Sequence, residues 1–135
     1  MQLNSMPEED AGTAGLITVL VVEDEFLIRM LVADHLRDAG FVVIEAFNGD
    51  EAIDILTTGT VIDLVFTDVR MPGSADGMDL LAFVKQTRPD LPVLMTSGHL
   101  EPELAYSAGA ERFLSKPCDP DFVVSAIRTA LGSDA

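Results

Sequence analysis

The sequence predicts an α/β domain in which a five-stranded parallel sheet is covered by helices on both faces. Three observations carry this. Short β-branched runs alternate with stretches of helical spacing, five such pairs fill residues 17 to 131, and the runs are apolar on both sides rather than alternating. Alternating strands and helices imply right-handed crossovers and a sheet buried between two helical layers.

The first strand is Ile17 to Val22 (ITVLVV), stopped by acidic residues. Phe26, Leu27, Met30, Leu31, Ala33 and Leu36 then recur at helical spacing up to Gly40, a glycine placed where helices end. Val42 to Ala46 is the second strand, and Gly49 to Leu56 the second helix, closed by Gly59. Asp63 to Thr67 is the third strand. Met78 to Thr87 is the third helix, ended at Arg88-Pro89 because proline disfavours the α conformation before it. Pro92 to Ser97 is the fourth strand, followed by a short helical stretch from about Pro102 to Ala108. Arg112 to Ser115 is the fifth strand, and Asp121 to Leu131 a last amphipathic helix with Asp119 or Asp121 near its start. Residues 16 to 132 therefore form one domain, between a polar, acidic tail over 1 to 15, read as disordered, and a short tail over 133 to 135.

Composition narrows the function. With 48% hydrophobic residues over 135 positions, the chain can bury one core without covalent staples. Its single cysteine, Cys118, excludes a disulfide scaffold or a Cys-rich zinc site and fits a reducing compartment, so a cytoplasmic protein is expected. Cys118 is read as a small buried apolar residue rather than a redox centre. Twenty-three acidic against eight basic side chains, a formal net charge of −15, argue against nucleic acid and anionic lipid. The same surplus suits a cation or a basic protein partner. No Lys or Arg precedes Arg29, so the basic region of a secretory signal is missing. The longest nearly unbroken apolar run, Ala14 to Val22, falls well short of the roughly 20 residues that span a bilayer.

In open sheets of this kind, ligands bind beyond the carboxyl ends of the strands where the strand order reverses; for a five-stranded order of 2-1-3-4-5, that point lies between strands one and three. Those ends carry Glu23, Asp24 and Asp68. Acidic residues after a strand often serve only as helix caps, a reading that suits Glu23, Asp24 and Glu25 taken alone. Asp68 ends the hydrophobic run LVFT and no helix follows it directly, so convergence of the three points to use. Three carboxylates brought together repel unless a positive charge joins them, and a small oxygen-seeking cation such as Mg²⁺ fits better than a caged Ca²⁺. Strands four and five add Ser97 and Lys116, a hydroxyl and an ammonium suited to phosphoryl oxygens.

These residues resemble the receiver domain of two-component response regulators, the CheY-like family with its flavodoxin-like (βα)5 fold. The matching pieces are Val21-Val22-Glu23-Asp24-Glu25, Asp68-Val69-Arg70-Met71-Pro72 with Asp76-Gly77, Thr96-Ser97-Gly98, and Lys116-Pro117; together they cover about Ile17 to Leu131. The resemblance implies that Asp68 takes a phosphoryl group from a histidine kinase or histidine phosphotransfer protein. It implies Mg²⁺ held by Glu23, Asp24, Asp68 and the main-chain carbonyl of Arg70. Ser97 would be the switch hydroxyl, Lys116 a phosphoryl partner, Phe113 the aromatic switch residue, and the Lys116-Pro117 bond cis. Arg70 and His99 hold the two variable positions that tune dephosphorylation in this family; the other histidine, His35, is read as structural. The implied output is a phosphorylation-dependent change in protein contacts by a single-domain regulator, monomeric or dimerising on phosphorylation, or a phosphate relay or sink. No activity on a separate substrate is expected beyond the domain's own phosphorylation and dephosphorylation.

Two departures from the family pattern stand out. The segment Met71 to Gly77 is one residue longer than usual, and only twelve positions separate Ser97 from Gly109, so the fourth helix should be short or irregular. The surface of the fourth helix, fifth strand and fifth helix is therefore the least transferable. A haloacid-dehalogenase-like phosphatase would want a second Asp where Arg70 stands. A nucleotide-binding module would want a G-x-G-x-x-G or G-x-x-x-x-G-K-[ST] loop, and neither occurs. A degenerate receiver serving only as a docking surface is disfavoured by the complete residue set.

Overall fold

A computed structural model describes residues 15–99 and 102–132, so the proposed tails lie outside the described residues except for Gly15. Ten elements follow in order: β1 (Thr18–Val22), α1 (Phe26–Asp38), β2 (Val42–Ala46), α2 (Gly49–Thr57), β3 (Leu64–Asp68), α3 (Gly77–Thr87), β4 (Val93–Ser97), α4 (Pro102–Ser107), β5 (Arg112–Ser115) and α5 (Pro120–Ala130). The strands form one sheet, parallel throughout as the alternation of strands and helices implies, in the order β2-β1-β3-β4-β5.

Boundaries shift where a side chain has other work. Asp63 precedes β3 instead of opening it, because its Oδ2 accepts the Thr18 main-chain N–H at 2.8 Å across the sheet. Pro92 likewise stays outside β4; it has no N–H to give, but its carbonyl accepts from Val65 at 3.0 Å.

Alternation along each strand divides the core in two. Leu20, Val22, Val65, Val93 and Met95 meet Ala52 and Leu56 of α2 and Leu80, Leu81 and Val84 of α3. Val19, Val21, Leu64, Phe66 and Leu94 meet Ala33 and Leu36 of α1 and Val123 and Ile127 of α5. Each fully buried aliphatic side chain contributes roughly 1.5–3 kcal/mol, which is why these runs prefer a covered sheet.

Local chemistry fixes the helix ends. Asn48 Oδ1 accepts the Glu51 N–H at 2.8 Å to start α2. Asp76 and Asp79 exchange side-chain and main-chain bonds as a capping box before α3. Asp119, of the two aspartates considered, caps α5 by accepting from Asp121 N–H at 3.0 Å, with Pro120 behind it. The scarce arginines close other ends: Arg88 Nη2 donates to the Leu56 carbonyl at 2.6 Å, and Arg128 Nη2 to that of Ala39 at 3.0 Å.

One element departs from what periodicity suggests. Helix α1 buries only Ala33 and Leu36, while Phe26, Leu27, Met30 and Leu31 are exposed, with Phe26 at 60% and Leu27 at 70%. Helix α4 has six residues, in line with the shortened spacing. Its Tyr106 reaches the edge of the sheet, where the phenolic oxygen accepts the main-chain N–H of Phe113 at 3.0 Å.

Candidate functional site

β1 and β3 run side by side in register, Val22 opposite Thr67, so the residues just past Val22 come up beside Asp68. Carboxylate oxygens of Glu23, Asp24 and Asp68 all lie within 4.8 Å of one another. Glu23 and Asp68 are buried, and Asp24 faces solvent. Lys116, just past β5, reaches over the fourth strand to this cluster, with Nζ 2.9 Å from Asp68 Oδ2 and 3.6 Å from Glu23 Oε1. The Lys116-Pro117 bond is cis.

The acidic run after β1 does not cap α1 through its side chains. Glu25 occupies the N-cap of α1 without a side-chain cap bond. Instead, Glu23 Oε2 accepts the Glu25 main-chain N–H at 3.0 Å, which folds the Glu23 carboxyl inward. Burial raises the Glu23 carboxyl to about 7; the Glu25 N–H opposes the rise, the Asp68 charge adds to it, and Lys116 opposes it. For Lys116, burial pulls downward, but the bond to Asp68 and the charges of Asp68 and Glu23 outweigh it and hold the ammonium above its ordinary 10.5.

This donor set fits a small divalent cation: three carboxylates, oxygen ligands only, open to solvent on the Asp24 side. Glu23, Asp24 and Asp68 are the side chains that would hold it. A doubly charged ion would also remove the penalty that pushes Glu23 toward its protonated form.

Ser97 is buried at the end of β4, one strand from Asp68, whose register partner is Thr96. Its hydroxyl oxygen accepts the His99 main-chain N–H at 3.0 Å. The His99 and Arg70 side chains are exposed. Phe113 is buried in the core on the α3 side of the sheet, so its ring points inward. Cys118 corrects the reading of a buried apolar residue. It is half-buried, packs against the core on the α1 and α5 side while lining a cavity, donates from Sγ to the Ser115 carbonyl at 3.1 Å and lies 3.4 Å from Thr96 Oγ1. That cavity, about 460 Å³, runs from Glu23 and Lys116 down between Ile28, Leu31 and Val123.

Sequence reasoning missed three residues around the site. Arg29 of α1 donates from Nη1 to the Glu23 carbonyl at 2.8 Å and from Nε to Glu45 Oε1 at 3.1 Å. Asp50 and Ser74 hold the loop that leaves Asp68. Nothing in their spacing marks them, since each acts through a contact made only after folding. At the base of that loop Gly77, one of the residues that carry the family resemblance, is packed so tightly that a Cβ there would overlap the Asp68 carbonyl.

Among the described residues, no helix is long and apolar enough to cross a membrane. Comparison with known proteins gives one family. The response regulator receiver domain model matches residues 19–128. The DNA-binding transcriptional regulator NtrC of Klebsiella pneumoniae is 38% identical over 114 residues, which cover 82% of this chain and 24% of NtrC. The solved receiver domain of NtrX from Brucella abortus is 40% identical with a TM-score of 0.76, covering 85% of this chain and 98% of that one. A response regulator receiver domain protein from Clostridium thermocellum is 32% identical with a TM-score of 0.81, covering 87% and 95%. The chain spans about a quarter of the length of the first curated relatives it matches.

Proposed function

The chain belongs to the response regulator receiver domain family, and on that premise we propose that it is a phosphoacceptor which takes a phosphoryl group on Asp68 from the phosphohistidine of a kinase or phosphotransfer protein. The observation that carries the reading is the contact of Lys116 with Asp68 and Glu23 inside the three-carboxylate cluster. A carboxylate oxygen of Asp68 forms the new P–O bond as the donor's P–N bond breaks, giving an acyl phosphate and freeing the imidazole. Mg²⁺, when bound by Glu23, Asp24, Asp68 and the Arg70 carbonyl, supplies neutralising charge to the phosphoryl oxygens. Lys116 holds Asp68 in place before transfer and pairs with an equatorial oxygen after it. Ser97 bonds another of those oxygens.

The product adds about −1.5 to −2 charge, taking phosphoserine as a guide, to a site already rich in carboxylates. Drawing Ser97 toward it, with Phe113 adjusting behind, is the proposed switch, and changed protein contacts the output. Arg70 and His99 flank the path of attacking water and are assigned to tuning. The exposed stripe of Phe26, Leu27, Met30 and Leu31 beside the cluster supports a protein phosphodonor, and the acidity of the chain a basic rim on it. We place this chemistry in the cytoplasm and confine it to the domain's own aspartate.

The test is mass spectrometry of the intact chain after incubation with phosphoramidate or acetyl phosphate and Mg²⁺. One added phosphate that needs Mg²⁺ and is lost in Asp68→Asn is expected. Labelling that survives in Asp68→Asn, or none in the wild type, overturns the assignment.

A further inference from the structure

Residues 73 to 75 are built against residues 48 to 50. Asp50, in the first turn of α2, accepts the Ser74 N–H on Oδ2 at 3.0 Å and the Ser74 hydroxyl on Oδ1 at 2.7 Å. The Ser74 hydroxyl, the Ser74 N–H and then the Ala75 N–H hold the Asp50 carboxyl below its usual range. Gly73 has φ +105°, and a Cβ there would come within 2.9 Å of Asp50 Oδ2. A Cβ at Gly49 would overlap the Ala75 carbonyl, so the start of α2 meets the loop backbone directly. Ala75 is 7% exposed in an otherwise largely exposed loop. At the base, Gly77 N–H donates to the Val69 carbonyl at 2.8 Å. The loop leaving Asp68 is thus closed at its base and clamped near its tip, within the segment that is one residue longer than the family pattern.

We infer that Asp50 and Ser74 are positioning residues for cation binding at the Asp68 site, acting through the loop of residues 69 to 76 without touching the reacting atoms. The inference rests on the function proposed above, because Arg70 of this loop is the residue assigned to offer a main-chain carbonyl. A loop free to sample many conformations presents that carbonyl for only part of the time and binds the cation more weakly by that fraction.

The test uses the full chain as wild type, Asp50→Ala, Ser74→Ala, Ser74→Thr and the Asp50→Ala/Ser74→Ala pair. One measurement is the Mg²⁺ concentration that half-saturates the rise in thermal midpoint, which reports binding without any phosphate. The other is the rate of phosphorylation by phosphoramidate at limiting and saturating Mg²⁺. Asp50→Ala should raise the half-saturating concentration about tenfold, the low end for a residue that supports a ligand. It should slow phosphorylation at limiting Mg²⁺ and return to the wild-type rate at saturation. Ser74→Ala should show a smaller rise, Ser74→Thr none, and the pair no more than Asp50→Ala alone, since both act through one contact. Unchanged Mg²⁺ affinity in Asp50→Ala and Ser74→Ala overturns the inference, whatever happens to the metal-free midpoint. If Asp50→Ala does not fold, Ser74→Ala on its exposed turn decides. A wild type that binds Mg²⁺ but takes no phosphate overturns the proposed function and leaves the Mg²⁺ titration to judge the clamp; one that binds no Mg²⁺ overturns both.

Discussion

The Arg29 guanidinium donates to the main-chain carbonyl of Glu23 at 2.8 Å. Its Nε is bonded to Glu45 of β2, and its Cζ lies 5.5 Å from the centre of the Phe26 ring. The side chain is 14% exposed, so this brace is shielded from water and ties three parts of the chain together at the corner where the acidic cluster begins. Glu45 in turn is 3.1 Å from Arg37, which gives the corner a second cation.

Replacing Arg29 with Met, which keeps the apolar stem, should lower stability by about 1–3 kcal/mol, as expected for losing charged hydrogen bonds at a shielded site. Arg29→Lys should restore only part of this, because an ammonium cannot bridge two acceptors with the planar fork. Urea denaturation of the three proteins checks it. Equal midpoints in Arg29→Met and wild type would show that the brace is decorative.

The Glu23 carboxyl titrates near 7 in the folded chain and near 4.5 when unconstrained. Between those values the folded form keeps a proton that the unfolded form has lost, so stability falls as pH rises from about 4.5 to 7 and is unaffected by this group above that. The fall should be on the order of 1–3 kcal/mol in EDTA, reading each pKa unit as about 1.4 kcal/mol and allowing for coupling to its neighbours. Glu23→Gln should flatten the profile, and Mg²⁺ binding by the wild type should strengthen over the same rise in pH as the cation replaces the proton. Denaturation midpoints from pH 4.5 to 8 decide; a wild-type profile rising through this window would show that Glu23 is ionised throughout.

Leu27 is 70% exposed on the α1 stripe, so Leu27→Asp should leave stability within about 0.5 kcal/mol and leave phosphorylation by phosphoramidate unchanged. Transfer from a phosphorylated histidine phosphotransfer protein should slow about tenfold or more, since an apolar contact is exchanged for a charge. Parallel rate measurements with the two donors check this. Equal loss with both would place Leu27 in the fold, and no loss with either would remove the stripe from the docking surface.

Strands were legible because burial on both faces leaves a nearly uninterrupted run such as ITVLVV, and strand ends were legible because charge stops such runs abruptly. Glu23, Asp24 and Asp68 followed from the topology, since strands one and three are neighbours in this order. Helix α1 shows the limit. Phe26 and Leu36 look alike in a periodic pattern, but only Leu36 faces the sheet, and the 3.6-residue period does not say which of two apolar faces is the inner one. The arginine brace and the Asp50–Ser74 clamp were out of reach for a different reason: their partners are 16 and 24 residues apart and are brought together by the packing of separate βα units. Cys118 packs against the core yet stays half-buried beside a cavity, a distinction that residue type alone does not carry.

The chain contains one tyrosine and no tryptophan, and the hydroxyl of that tyrosine is bonded to the main chain of Phe113. Native emission in the tyrosine band therefore originates at a single address, the outer edge of β5, next to the ring assigned to the switch. The protein carries its own reporter: label-free emission from Tyr106 should follow the state of that edge in real time while a phosphodonor and Mg²⁺ are added, with Tyr106→Phe as its blank.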